Sequence, residues 1–151
     1  MSVIANTTVE RQVEIAARPE TIWKLLVDPK EVVRWMGQRA DFEPRAGGRY
    51  WLDVVPGHTA SGKFVEVDPP RKLVYTFGWE GSEGVPPGSS TVIFELVPRG
   101  EKTLLRFTHR DLPDTSAVES HAEGWDHYFA RLAIAATGGN PGVDPWIEEK
   151  K

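Results

Sequence analysis

The sequence predicts an α+β domain in which a curved, seven-stranded antiparallel sheet closes over a long C-terminal helix, and three observations carry that prediction. Apolar residues alternate with polar ones over residues 7–15 and again, between turn-forming clusters, from 37 to 109, which is the period of half-buried strands. Two short stretches of helical period follow the first run directly. A longer amphipathic stripe, with start and stop residues at its ends, spans about 116–137. Successive strands joined by short turns pair antiparallel, and helices gathered on one face complete the α+β arrangement.

In the first strand Val9, Val13 and Ile15 share one face while Glu10 and Glu14 occupy the other. Pro19 opens a helix that carries Ile22, Trp23, Leu25 and Leu26 as far as Val27. Asp28-Pro29-Lys30-Glu31 then reads as a second start, with Asp28 capping and Glu31 reaching back, for a short helix over 29–35. Turn chemistry at 44–48, Pro56-Gly57, Asp68-Pro69-Pro70, 81–88 and Pro98-Arg99-Gly100 separates six further strands. Their clearest inward faces are Leu73, Tyr75, Phe77 and Trp79, then Val92, Phe94 and Leu96, then Leu105, Phe107 and His109. A capping box at Ser116-x-x-Glu119 opens the long helix and Gly138-Gly139 closes it. Its inward stripe is His121, Trp125, Tyr128, Phe129, Leu132, Ala135 and Ala136. The chain therefore divides into an N-terminal extension (1–6), one domain (7–137) and a C-terminal tail (138–151), which is frayed unless Trp146 and Ile147 dock it.

Composition narrows the function. At 151 residues, 40% hydrophobic and 26% charged, the chain has the make-up of one globular domain with a substantial core. With no cysteine, it has neither disulfides nor thiolate metal ligands. A net charge of −4 without clustered basic residues disfavours nucleic acid, whose affinity rests on Lys and Arg contacts to phosphate. The first ten residues lack the basic and apolar regions of a secretory signal, and no stretch is long enough for a membrane span. A cytoplasmic protein is the expectation.

Several strings, in order, resemble one family. They are Thr8-Val9-Glu10-Arg11, then Ala17-Arg18-Pro19-Glu20-Thr21-Ile22-Trp23, Val27-Asp28-Pro29, Arg34-Trp35, Gly47-Gly48-Arg49-Tyr50, Glu66-Val67-Asp68-Pro69-Pro70-Arg71-Lys72-Leu73-Val74, and His121-x-x-Gly124-Trp125 with Leu132-Ala133. Over roughly 7–137 the chain resembles the START/SRPBCC superfamily, in the branch named after the activator of the heat-shock chaperone ATPase. The resemblance implies a helix-grip fold with a cavity between the sheet and the C-terminal helix. It implies no single activity: relatives bind lipids, steroids or other apolar ligands, cyclise aromatic polyketides, or assist a chaperone. No chaperone-binding domain accompanies the grip in this sequence, so a chaperone partner is not expected.

The candidate binding residues are the large inward groups, which include members of a set of six Trp, six Phe and three Tyr. From the strands they are Tyr75, Phe77, Trp79, Phe94, Phe107 and His109; from the helix, His121, Trp125, Tyr128, Phe129 and Leu132; and from the second short helix, Trp35, where Trp35-Met36 would cover an opening. The competing reading is a packed core. Buried Tyr hydroxyls want a polar partner, from protein, water or ligand. His109 and His121 could orient a ligand's polar end or move a proton in a cyclase or isomerase, yet no carboxylate at a telling spacing marks either as a base. His121 and His127, six residues apart on a helix, point about 240° from each other and cannot share a metal. His58 sits in a turn without a ligand pattern. There is neither a Gly-x-Ser-x-Gly elbow nor a phosphate loop. The segments 81–89 and 111–115 are candidate lids or plain connections, and Arg39 and Arg49 receive no role. The expected partner is a small apolar ligand, with no catalytic residue, metal or cofactor assigned. Homodimerisation stays open.

Overall fold

The structure, a computed structural model, describes residues 7–149; the N-terminal extension expected at 1–6 lies outside the described residues. Seven strands, β1 (Val9–Ile15), β2 (Arg39–Phe42), β3 (Arg49–Val55), β4 (His58–Asp68), β5 (Lys72–Trp79), β6 (Ser90–Arg99) and β7 (Lys102–Arg110), form one antiparallel sheet. The strand order β1-β7-β6-β5-β4-β3-β2 is a six-strand meander whose last member returns to pair with β1, Val9 lying opposite His109. Helices α1 (Pro19–Val27) and α2 (Pro29–Val32) carry the chain from one edge of the sheet to the other. Register shifts between Asp53 and Val55 and between Phe64 and Glu66 are the bulges that bend it.

The helix α3 (Thr115–Ala136) buries Trp125, Tyr128, Phe129, Leu132, Ala135 and Ala136, as the stripe predicts. Its N-cap, however, is Asp114 and not Ser116: the Asp114 carboxylate accepts from the Ala117 backbone N–H at 2.8 Å. Asp114 has extended backbone while Ser116 lies inside the first turn, where it cannot cap. At the other end Gly139 N–H bonds Ile134 C=O and Gly138 N–H bonds Ala135 C=O, a Schellman closure for which Gly138 supplies φ +89°.

Two further expectations change. α2 ends at Val32 rather than Trp35, and the Trp35 side chain turns inward, its indole N–H bonded to Leu25 C=O at 2.8 Å. Asp28 caps α2 by accepting from Lys30 N–H, but Glu31 pairs with Arg34 at 3.0 Å instead of reaching back. Arg39 and Arg49 face outward, paired with Asp53 and Asp41 on neighbouring strands.

The core is rich in aromatic rings among its aliphatic side chains. Tyr50 and Tyr75 stack at 4.0 Å between ring centroids, and Phe107 meets Trp125 at 4.6 Å and Phe129 at 4.8 Å. This end of the grip is filled by side chains. The opposite end, nearer the α3 N-terminus and the tail, is not.

Candidate ligand cavity

Between α3 and the β3–β5 part of the sheet lies a cavity of about 400 Å³. Phe77 and Trp79 of β5 form one wall, Val54 and Val55 of β3 with Met36 another, and His121, Trp125 and Tyr128 of α3 the third. Gly124 lies in the α3 wall, and a Cβ added there would meet no heavy atom within 4 Å. A glycine in a helix interior costs about 1 kcal/mol relative to alanine, so α3 carries that cost at a position that opens space. His58, Ser120 and His121 supply most of the polar groups on an otherwise apolar lining.

Five of the twelve residues expected from the sequence line this cavity: Phe77, Trp79, His121, Trp125 and Tyr128. Tyr75, Phe94, Phe107, Phe129 and Leu132 belong instead to the packed core, as does Trp35. They share the inward faces but stand where facing side chains meet. His109 is fully buried behind Trp125 and Phe77 and does not reach the cavity. The contributions of Val54, Val55, Gly124, Trp146 and His58 are not among the expected residues.

The two inward histidines are neutral, with opposite tautomers. The Trp125 indole N–H donates to His109 Nδ1 at 3.0 Å, so the His109 proton sits on Nε2 and goes to Ser90 Oγ at 2.8 Å. Ser90 in turn donates to Phe77 C=O at 2.7 Å. In His121 the carbonyl of Ala117, 2.7 Å from Nδ1, can only accept, so Nδ1 carries the proton and Nε2 accepts from the Trp79 indole at 2.9 Å. Burial, and then the neighbouring His121, lower the His109 pKa to about 3. Burial also lowers that of His121, against the opposing pull of the Ala117 carbonyl. Neither ring keeps a free lone pair with which to take a proton from a substrate.

The tail is docked, not frayed. Beyond Gly139 it crosses Arg131, whose guanidinium donates to Trp35 C=O (3.0 Å), Pro141 C=O (3.3 Å) and Gly142 C=O (2.9 Å). Buried Asp144 then accepts from His127 Nε2 at 2.8 Å and caps the short helix α4 (Pro145–Glu149) by accepting from Trp146 N–H. Trp146 stacks on His127 with centroids 3.7 Å apart and reaches the cavity. Among the described residues the Tyr128 hydroxyl and Asp144 Oδ2 find no hydrogen-bond partner, although burial, and then this carboxylate, raise the Tyr128 pKa.

Segments 81–85 and 113–117 contribute to an outer recess of about 570 Å³ that shares His58, Trp79, Ser120 and His121 with the cavity. The first is fastened down, with Trp79 N–H bonded to Val85 C=O at 2.7 Å and Val85 N–H to Ser82 Oγ at 3.0 Å. Gly78 permits this, since a Cβ there would collide with the Pro86 carbonyl.

Residues 16–137 match the family model described as Activator of Hsp90 ATPase homolog 1-like protein. The chain belongs to that family. Among solved structures of this AHSA1-like fold, the AHSA1-like protein RHE_CH02687 from Rhizobium etli is 46% identical, with 92% of this chain and 87% of that one covered and a TM-score of 0.75. The HSP90 activator PFC0360w from Plasmodium falciparum is 21% identical, with coverage of 85% and 95% and a TM-score of 0.73. The Aha1 dimer from Colwellia psychrerythraea is 19% identical, with coverage of 87% and 97% and a TM-score of 0.76. The last two are like this chain in fold alone. No curated protein matches it. The AHSA1-like domain is a START/SRPBCC-related helix grip, and among its described residues no helix is long and apolar enough to cross a membrane. Trp146 lies outside the matched residues.

Proposed function

We propose that this AHSA1-like domain binds a small apolar or amphipathic molecule in the cavity between α3 and the sheet. The observation that carries the reading is Gly124. A mid-helix glycine on the cavity side, with open space where its Cβ would stand, keeps room that an alanine or leucine would fill with a gain in helix propensity. The surrounding Phe77, Trp79, Trp125 and Trp146 provide rigid apolar walls, the lining typical of small-molecule sites. The same occupancy of both ring nitrogens in His109 and His121 favours binding over proton-transfer catalysis. The reading includes a cytoplasmic setting, suggested by the cysteine-free sequence.

The test is a titration with N-phenyl-1-naphthylamine, an uncharged aromatic fluorophore that brightens in apolar surroundings. The wild-type protein is expected to bind it. Gly124→Leu is expected to weaken binding at least about tenfold, which is the loss of about 1.4 kcal/mol, while remaining folded. A wild-type protein that does not bind, or a leucine variant that binds equally well, would refute the reading.

A further inference from the structure

We infer that Trp146 is the end wall of the cavity and sets the length of the molecule it admits, an inference that rests on the cavity being the binding site. The α3 wall serves as a ruler. Its lining residues run from Ser120 and His121 through Gly124 and Trp125 to Tyr128, a span of about 12 Å at 1.5 Å per helical residue. Ser120 and His121 are the end shared with the outer recess; Tyr128 is the far end, and Trp146 stands against it at 5.7 Å between ring centroids. A ligand therefore has its polar end at the recess and its apolar end against the indole.

The recess defines the head group. The charged side chains lining it are Glu80 and Asp114, and no Lys or Arg among the described residues joins them. Carboxylates repel an anionic head, so the ligand class is an amphipathic molecule whose head is not an anion, such as an alcohol. The wall lies beyond the matched residues but is fastened to them: Arg131 holds the tail by the Pro141 and Gly142 carbonyls, and His127 holds Asp144. The grip is thus common to the family model, while the stop at its far end is supplied by this chain's own tail.

The experiment is displacement of bound N-phenyl-1-naphthylamine by 1-alkanols of increasing length. Each added methylene is expected to tighten binding by about fourfold until the chain meets Trp146, after which the gain stops. In Trp146→Ala the stop is expected at a chain longer by about three carbons, at a similar gain for each; Trp146→Leu, which keeps an apolar plug should the alanine variant loosen the tail, is expected to fall between. Decanol is expected to displace the fluorophore better than decanoate at pH 8. If the fluorophore binds but the cut-off is the same in all three proteins, Trp146 is not the wall and the cavity reading stands. A preference for decanoate overturns the head-group assignment. If the fluorophore does not bind the wild type at all, both readings fall.

Discussion

His109 and His121 meet edge to face, with ring centroids 5.1 Å apart and planes at 89°, and each holds its proton on the nitrogen that the other leaves bare. Trp125 and Trp79 donate into their lone pairs, which couples two indoles of the cavity wall to one buried and one half-buried imidazole. Both wall indoles are thus held by their N–H groups. The cost of this arrangement appears on acidification.

With its folded-state pKa near 3 and an unfolded value near 6.5, His109 binds a proton in the unfolded chain long before it does in the native one. Its contribution is therefore neutral to stability above about pH 6.5 and increasingly destabilising as the pH falls toward 3. Between pH 6 and 4 the wild type is expected to lose on the order of 2 kcal/mol more unfolding free energy than His109→Gln, measured by urea titration at each pH. Parallel pH profiles for the two proteins would show that His109 is not held neutral.

Ser90→Ala removes both the acceptor of the His109 Nε2 proton and the donor to Phe77 C=O in a fully buried setting. The expected cost is about 1–3 kcal/mol of stability, measured by thermal or urea unfolding at pH 7. A loss below about 0.5 kcal/mol would mean that water reaches the site and replaces the bonds.

Gly124→Ala is expected to raise stability by up to about 1 kcal/mol, since the new methyl enters open space within a helix. A destabilised alanine variant, seen as a lower unfolding midpoint, would show that the space beside Gly124 is closed in solution.

Asp144→Ala takes away the acceptor of both His127 and the Trp146 backbone N–H. Amide exchange over 143–148 is expected to rise, with the β5–β7 core unchanged, because the remaining Arg131 bonds hold only the tail's first residues. Unaltered exchange there would mean that Trp146 stacking alone docks the segment.

Much of this was legible from the sequence. Two periods separate cleanly in it: Leu73, Tyr75, Phe77 and Trp79 alternate as a strand, while Trp125, Tyr128, Phe129 and Leu132 recur as a helix face, and both are observed. The position of the cavity was harder to read, since inward faces are the same whether they meet a side chain or a void. Phe94 and Phe107 meet Trp125 and Phe129, while Phe77 and Trp79, on the same kind of face, look toward Gly124. The glycine between His121 and Trp125 was the available signal. Trp146 had none, because four residues around Asp144 carry no periodicity and its docking depends on a pairing with His127 seventeen residues away. His58, read from the sequence as part of a turn, instead opens β4 opposite Val55 and so joins the lining. The Asp114 cap competed with an equally good box two residues later, and backbone conformation decided between them.

The cavity is tested most directly by the indole N–H signals of the protein's six tryptophans in a ¹⁵N-labelled sample titrated with N-phenyl-1-naphthylamine. Trp79, Trp125 and Trp146 line the cavity, whereas Trp23, Trp35 and Trp51 do not. The account predicts that the first three signals move with the titration and the second three stay in place. Shifts confined to Trp23, Trp35 or Trp51, or no shift at saturating fluorophore, would contradict it.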